Sequence, residues 1–141
     1  MNSRNDWVSL NADDPETGRI VYLIRRAMAS ERKKFQTAIV LEWKFDIDDY
    51  DEFLQSEEKQ LLDKFEDVLE QIDPEEEISA LVLTIVNNRS REWVFYTSAY
   101  QDWLARLNAT LANVPEIPIT IQFSSDPEWN YWSHFAQHIP E

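Results

Sequence analysis

The chain of 141 residues is 43% hydrophobic and 13% aromatic, has no cysteine and one glycine, and carries a formal charge of −14. That apolar share argues for a packed core, and the missing cysteines exclude disulfides, thiol nucleophiles and Cys-ligated metals. No run of about 18 apolar residues offers a membrane-spanning helix, and a single glycine leaves no phosphate-cradling loop of Walker or Rossmann type.

The length fits a single domain, 1–141. The opening Met1-Asn2-Ser3-Arg4-Asn5-Asp6 lacks the apolar stretch of a secretory signal, so a cytoplasmic protein of bacterial type is expected. "DWVSLN" (6–11) and "RIVYLIRR" (19–26) predict an N-terminal β-hairpin across 6–26, turning through Asp13 to Gly18. Arg25, Arg26, Arg32, Lys33 and Lys34 then form a basic corner opposed only by Glu31. "TAIVLEWKF" (37–45) alternates as a strand, with Ile39, Leu41, Trp43 and Phe45 on one face and Glu42 and Lys44 on the other.

From Asp49 to about Ile72 the period changes to that of an amphipathic helix. Leu54, Leu61, Phe65, Val68, Leu69 and Ile72 form its stripe, Asp49 and Glu52 offer a capping box, and Asp73-Pro74 ends it. Between Glu42 and Glu77 stand 16 acids against three lysines, so nearly all of the net charge sits on and beside this helix. "ISALVLTIV" (78–86) is apolar on both faces, as in a central strand. Asn87 to Ser90 turns the chain into "REWVFYT" (91–97). Ser98 with Gln101 opens a second helix whose Tyr100, Trp103, Leu104, Leu107 and Leu111 share one side, and "IPITIQF" (117–123) is the last strand.

The order over 37–123 is β-α-β-β-α-β, which predicts an α+β fold with a ferredoxin-like core and an antiparallel sheet. Asp126 as N-cap and Pro127 as first helical residue predict a short C-terminal helix over 126–138, too short to stand without packing. Its Trp129 and Trp132 are expected to close the core over one sheet face, because each indole brings about 150–250 Å² of surface to bury.

Arg91-Glu92-Trp93, Phe95-Tyr96-Thr97 and Asp126-Pro127-Glu128-Trp129 with Tyr131, together with the helix "FLQSEEKQLLDKFEDVLE", resemble the bacterial family named domain of unknown function 695. The resemblance covers roughly Trp7 to Phe135. It implies a small α+β fold and transfers no activity. Some chains of that family are joined to a domain similar to regulator B of ribonuclease E, which is small, acidic and non-catalytic; no motif of that second family stands in this sequence.

Site chemistry is sparse. His134 and His138 have the i, i+4 spacing of a shared zinc ion, but Phe135 stands where a metalloprotease motif has Glu, and no third ligand follows. "DIDDYDE" (46–52) has Tyr50 and Asp51 where a calcium loop needs an oxygen ligand and a glycine. No nucleophile elbow is present. No catalytic residue, metal or cofactor is therefore expected.

"REWVFYT" shares ring positions with the third strand of an RNA recognition motif, yet it lacks the glycines, and the acidic balance opposes nucleic acid. The leading expectation is a non-catalytic module that binds a protein partner, through the acidic helix (Glu57, Glu58, Asp63, Glu66, Asp67) or a sheet edge that also permits a homodimer. The alternatives are an enzyme or ligand-binding pocket beneath the C-terminal helix, lined by Arg91, Trp93 and Tyr131, and an RNA-binding or ribonuclease-regulating domain.

Overall fold

A computed structural model describes residues 7–15, 18–26, 29–45, 55–87, 89–112 and 117–139. Along the chain run β1 (Trp7–Asp14), β2 (Gly18–Arg25), α1 (Ala29–Lys34), β3 (Thr37–Lys44) and α2 (Glu57–Ile72). Then come β4 (Ser79–Val86), β5 (Ser90–Thr97), α3 (Tyr100–Leu111), β6 (Ile119–Ser125) and α4 (Asn130–Ala136). The fold is α+β: one six-stranded antiparallel sheet in the order β1-β2-β4-β5-β3-β6 carries the described helices.

β1 and β2 pair antiparallel from Trp7 opposite Arg25 to Asp14 opposite Gly18. Gly18 has φ 79°, a left-handed value that a residue with a Cβ resists, which accounts for the position of the only glycine. On the turn before β5, the Asn87 side chain accepts hydrogen bonds from the amides of Arg89 (2.7 Å) and Ser90 (2.8 Å), fixing the reversal locally.

The two faces of the sheet carry separate cores. On one, Ile39, Leu41 and Trp43 of β3 and Trp93 and Phe95 of β5 meet Leu62, Phe65, Val68, Leu69 and Ile72 of α2 and Trp103 and Leu107 of α3. On the other, Ala38, Val94 and Tyr96 meet Phe35 after α1 and Trp129, Trp132 and Phe135 around α4. The face alternation of β3 follows the sequence pattern. The buried seam of α2 runs through Leu62, whereas Leu61 is only partly buried. Leu62, Phe65, Leu69 and Ile72 lie at i, i+3, i+7 and i+10, one side of the helix.

α2 is capped by Ser56, whose hydroxyl accepts from the Lys59 amide at 3.2 Å. The Asp49–Glu52 capping box, the apolar Leu54 and the 46–52 acidic run lie outside the described residues. At its other end Asp73 binds the chain that follows: its carboxylate accepts from the amides of Glu77, Ile78 and Ser79 and from the Ser79 hydroxyl. Burial would raise the pKa of this carboxyl; the four donors outweigh it and hold it below the ordinary value.

Three elements differ from the sequence expectation. α1 carries no apolar periodicity to betray it; it is a single turn and a half whose Arg32, Lys33 and Lys34 suit the C-terminal dipole. β6 runs two residues further than the apolar alternation, through Ser124 and Ser125, because it follows Ala38 and Thr37 of β3 to their end. α4 starts at Asn130 rather than behind Asp126, since Trp129 is turned into the left-handed region (φ 56°, ψ 42°). Asp126 still serves the helix from one turn back, accepting from the amides of Asn130 (2.9 Å) and Tyr131 (3.0 Å).

Candidate functional site

The aromatic tail is a closure. Trp129 is 1% exposed, stacks on Tyr96 with ring centroids 4.2 Å apart and donates its indole N–H to the Phe35 carbonyl at 2.6 Å. Trp132 is half-buried and donates to the Arg25 carbonyl at 2.7 Å. The Tyr96 hydroxyl donates to Asp126 at 2.6 Å and accepts from the Trp132 amide at 3.2 Å. Burial, then the hydrogen bond to Asp126, drives the Tyr96 pKa far up, so this phenol stays protonated. The hub ties α4 to β5 through hydrogen bonds among Tyr96, Asp126 and Trp132 and the bond from Trp129 to Phe35.

The proposed pocket residues do not come together. Alternation along β5 puts Arg91, Trp93 and Phe95 on the α2 face, and Tyr131 belongs to α4 on the opposite face. Arg91 and Trp93 meet at Glu66 instead: Arg91 pairs with its carboxylate at 2.9 Å, and the Trp93 indole donates to it at 3.0 Å. Trp93 is 2% exposed, so the rings that suggested base stacking are covered by α2 and α3. Tyr131 is 36% exposed; the burial of the rest of its ring, then Glu92 and Glu42, raises its pKa.

The five acids of α2 expected to meet a partner divide by what they touch. Glu58 accepts from the Trp43 indole at 3.3 Å, Asp63 pairs with Lys59 one turn back, and Glu66 holds Arg91 and Trp93. Glu57 and Asp67 are exposed.

A cleft of about 880 Å³ opens where β4, β2 and β1 extend the sheet past the edge of α2. Its walls are Asp63, Glu66, Asp67 and Glu70 of α2 and Asp73, Glu75 and Glu76 of the turn that follows. Leu81, Thr84, Trp93 and Phe95 form the floor, and Trp7 stands at the rim. Strict alternation would send Leu81 and Thr84 to opposite faces; a bulge between Leu81 and Leu83 brings both into the cleft. Thr84 is buried, and among the described residues its hydroxyl has no protein partner.

One base enters this acidic surface. Arg25, nearly buried, makes a bidentate pair with Glu76, with Nη2 to Oε1 at 3.0 Å. Among the described residues no cation pairs with Asp67, Glu70 or Glu75. Sequence reasoning located Asp63, Glu66 and Asp67 as an acidic face. It missed Arg25, Thr84, Glu75 and Glu76, because only the tertiary fold sets β4 and β5 beside that face and adds β1 and β2 at its edge.

His134 and His138 are both exposed, and among the described residues no three His, Asp or Glu side chains are grouped to hold a metal ion. No described helix is long and apolar enough to cross a membrane.

Fold and cleft define an α+β protein with an acidic groove along one helix. The sequence profile of the family of unknown function DUF695 matches residues 15–136, and the chain belongs to that family. No curated protein matches it.

Proposed function

We propose that the chain acts without catalysis, as one cytoplasmic domain on a ferredoxin-like core, and that it binds a basic segment of a partner protein in the cleft beside α2. The strand order β4-β5-β3-β6 within residues 37–125 supports the core assignment. The observation that carries the function is the cleft itself: of the seven carboxylates that line it, Asp63, Glu66, Asp73 and Glu76 pair with Lys59, Arg91, Arg106 and Arg25, and among the described residues no cation pairs with Asp67, Glu70 or Glu75. A site of this kind attracts cations over a distance and takes the methylene stem of Lys or Arg against its apolar floor. Thr84 supplies a hydroxyl at the floor for a donor that reaches the bottom.

A Lys/Arg-rich peptide titrated into the protein tests this by calorimetry. Binding at about 50 mM salt, weakened about tenfold or more at about 300 mM, is expected. The variant Asp67→Asn/Glu70→Gln/Glu75→Gln should lose most of it, since those three side chains line the cleft and hold no described ion pair. Glu66 and Glu58 are unsuitable for this purpose, because their loss would free Trp43, Trp93 and Arg91 inside the core. No binding at low salt, or equal binding by the triple variant, removes the reading.

A further inference from the structure

The opposite side of the molecule carries a second feature, independent of the cleft. β6 is an edge strand: β3 pairs with its inner side, and among the described residues no strand pairs with its outer side. Exposed edges are normally protected by charges, prolines or bulges, because their free amides and carbonyls template pairing with another chain. Ile119-Thr120-Ile121-Gln122-Phe123-Ser124-Ser125 contains none of these devices, and no ionisable side chain at all, in a chain that is 28% charged. The other edge, β1, ends in Asp13-Asp14. Beside β6, Phe123 (36% exposed) and Tyr100 (41%) lean together with ring centroids 5.0 Å apart. They are two of the three large hydrophobic side chains exposed among the described residues.

We infer that β6 pairs antiparallel with β6 of a second copy, giving a two-fold dimer with one sheet continuous across both chains. Charge selects this occupant. A molecule at −14 repels its own copy over most of its surface, and this edge is where two copies meet without opposing carboxylates. The sequence is also complementary to itself. Centred on Gln122, the register that pairs all seven residues, Thr120 meets Ser124 of the second copy and Ile121 meets its Phe123. The hydroxyl pairs then share one face with the Gln122–Gln122 pair on the axis, and the Ile121–Phe123 pairs share the other, where Ile119 meets Ser125 at each end. A basic partner has nothing to recognise here.

The test exploits the axis. The wild-type chain should sediment at twice the chain mass at concentrations of about 100 μM, within reach of a modest interface. Gln122→Glu places two carboxylates directly opposite each other, and Gln122→Lys does the same with two ammonium groups; each alone should be monomeric. Gln122 is exposed, so both should keep the wild-type circular dichroism, and their melting should match that of the wild type once it is diluted enough to dissociate. Mixed in equal amounts they should form a heterodimer, because the axial pair is then oppositely charged. A monomeric wild type, a dimer that survives Gln122→Glu, or a mixture that stays monomeric each overturns the inference. Survival of the dimer would place the contact on another surface, such as β1.

Discussion

Six tryptophans in one small chain pose a problem at the scale of single residues, since each indole carries an N–H that must find an acceptor once buried. Trp43 uses Glu58, Trp93 uses Glu66, Trp129 uses Phe35 and Trp132 uses Arg25, the last two through backbone carbonyls. Trp103 is fully buried against Phe95, and among the described residues its N–H has no partner. The two kinds of site respond differently to Trp→Phe, although both lose similar ring volume. Trp129→Phe also leaves the Phe35 carbonyl without its donor, whereas Trp103→Phe removes a group that was costing stability. Trp129→Phe should therefore destabilise more, by on the order of 1–3 kcal/mol, as read from urea unfolding of the two variants. Equal losses would mean that the bond to Phe35 contributes nothing. Strand alternation placed Trp43 inward and helical spacing did so for Trp103 and Trp129, but their acceptors and the burial of Trp93 were not legible, because Glu58 and Glu66 looked like any other acids on a solvated helix.

Between elements, the informative contact is where β3 meets β5. Glu42 stands directly across from Glu92, a like-charge pair that the sheet tolerates only at a cost. Burial first, and Glu42 second, raises the pKa of Glu92 above its ordinary value. A carboxyl raised in the folded state binds its proton more tightly there than in the unfolded chain. Its ionisation therefore opposes folding as pH climbs above the unfolded pKa, near 4.3. Glu92→Gln removes that penalty. The variant should melt higher than wild type at pH 7, and the two curves should converge below about pH 4, where both carry a neutral side chain. A variant that melts lower at pH 7 would show that Glu92 makes a favourable contact at this edge of the sheet.

The elements themselves were unevenly legible. β3 could be read from strict alternation, β5 from the turn that precedes it, and α3 from its apolar spacing. α1 could not, being too short to show a period. The start of α4 was displaced because Trp129 adopts a left-handed backbone to reach Phe35, and a tertiary hydrogen bond of that kind leaves no local signature.

Taken as a whole, the molecule is lopsided in charge. The acidic cleft lies beside α2 and the turn after it, and the uncharged strand β6 lies at the far edge of the sheet. Crowded carboxylates along the cleft repel one another in the folded state more than in the extended chain. Added sodium chloride at about 0.5 M shortens the Debye length to a few Å and should raise the melting temperature, most of all at neutral pH. If the melting temperature falls with salt, the ion pairs of Arg25 and Arg91 outweigh the repulsion, and the open carboxylates are not a source of strain.

Composition and periodicity determined the α+β class, the acidic helix, the face of β3 that goes inward and the burial of Trp129 in the tail, because those depend on residues close together in the chain. The tertiary structure alone decided which helix covers which sheet face, and so sent Arg91 and Trp93 under α2 and Tyr131 to the other side. It also decided that β2 lies beside β4 and that β6 forms an edge, which creates both the cleft and the bare strand. Pairings of that kind join segments dozens of residues apart, and they are selected by the packing of the whole core rather than by any stretch that can be read locally.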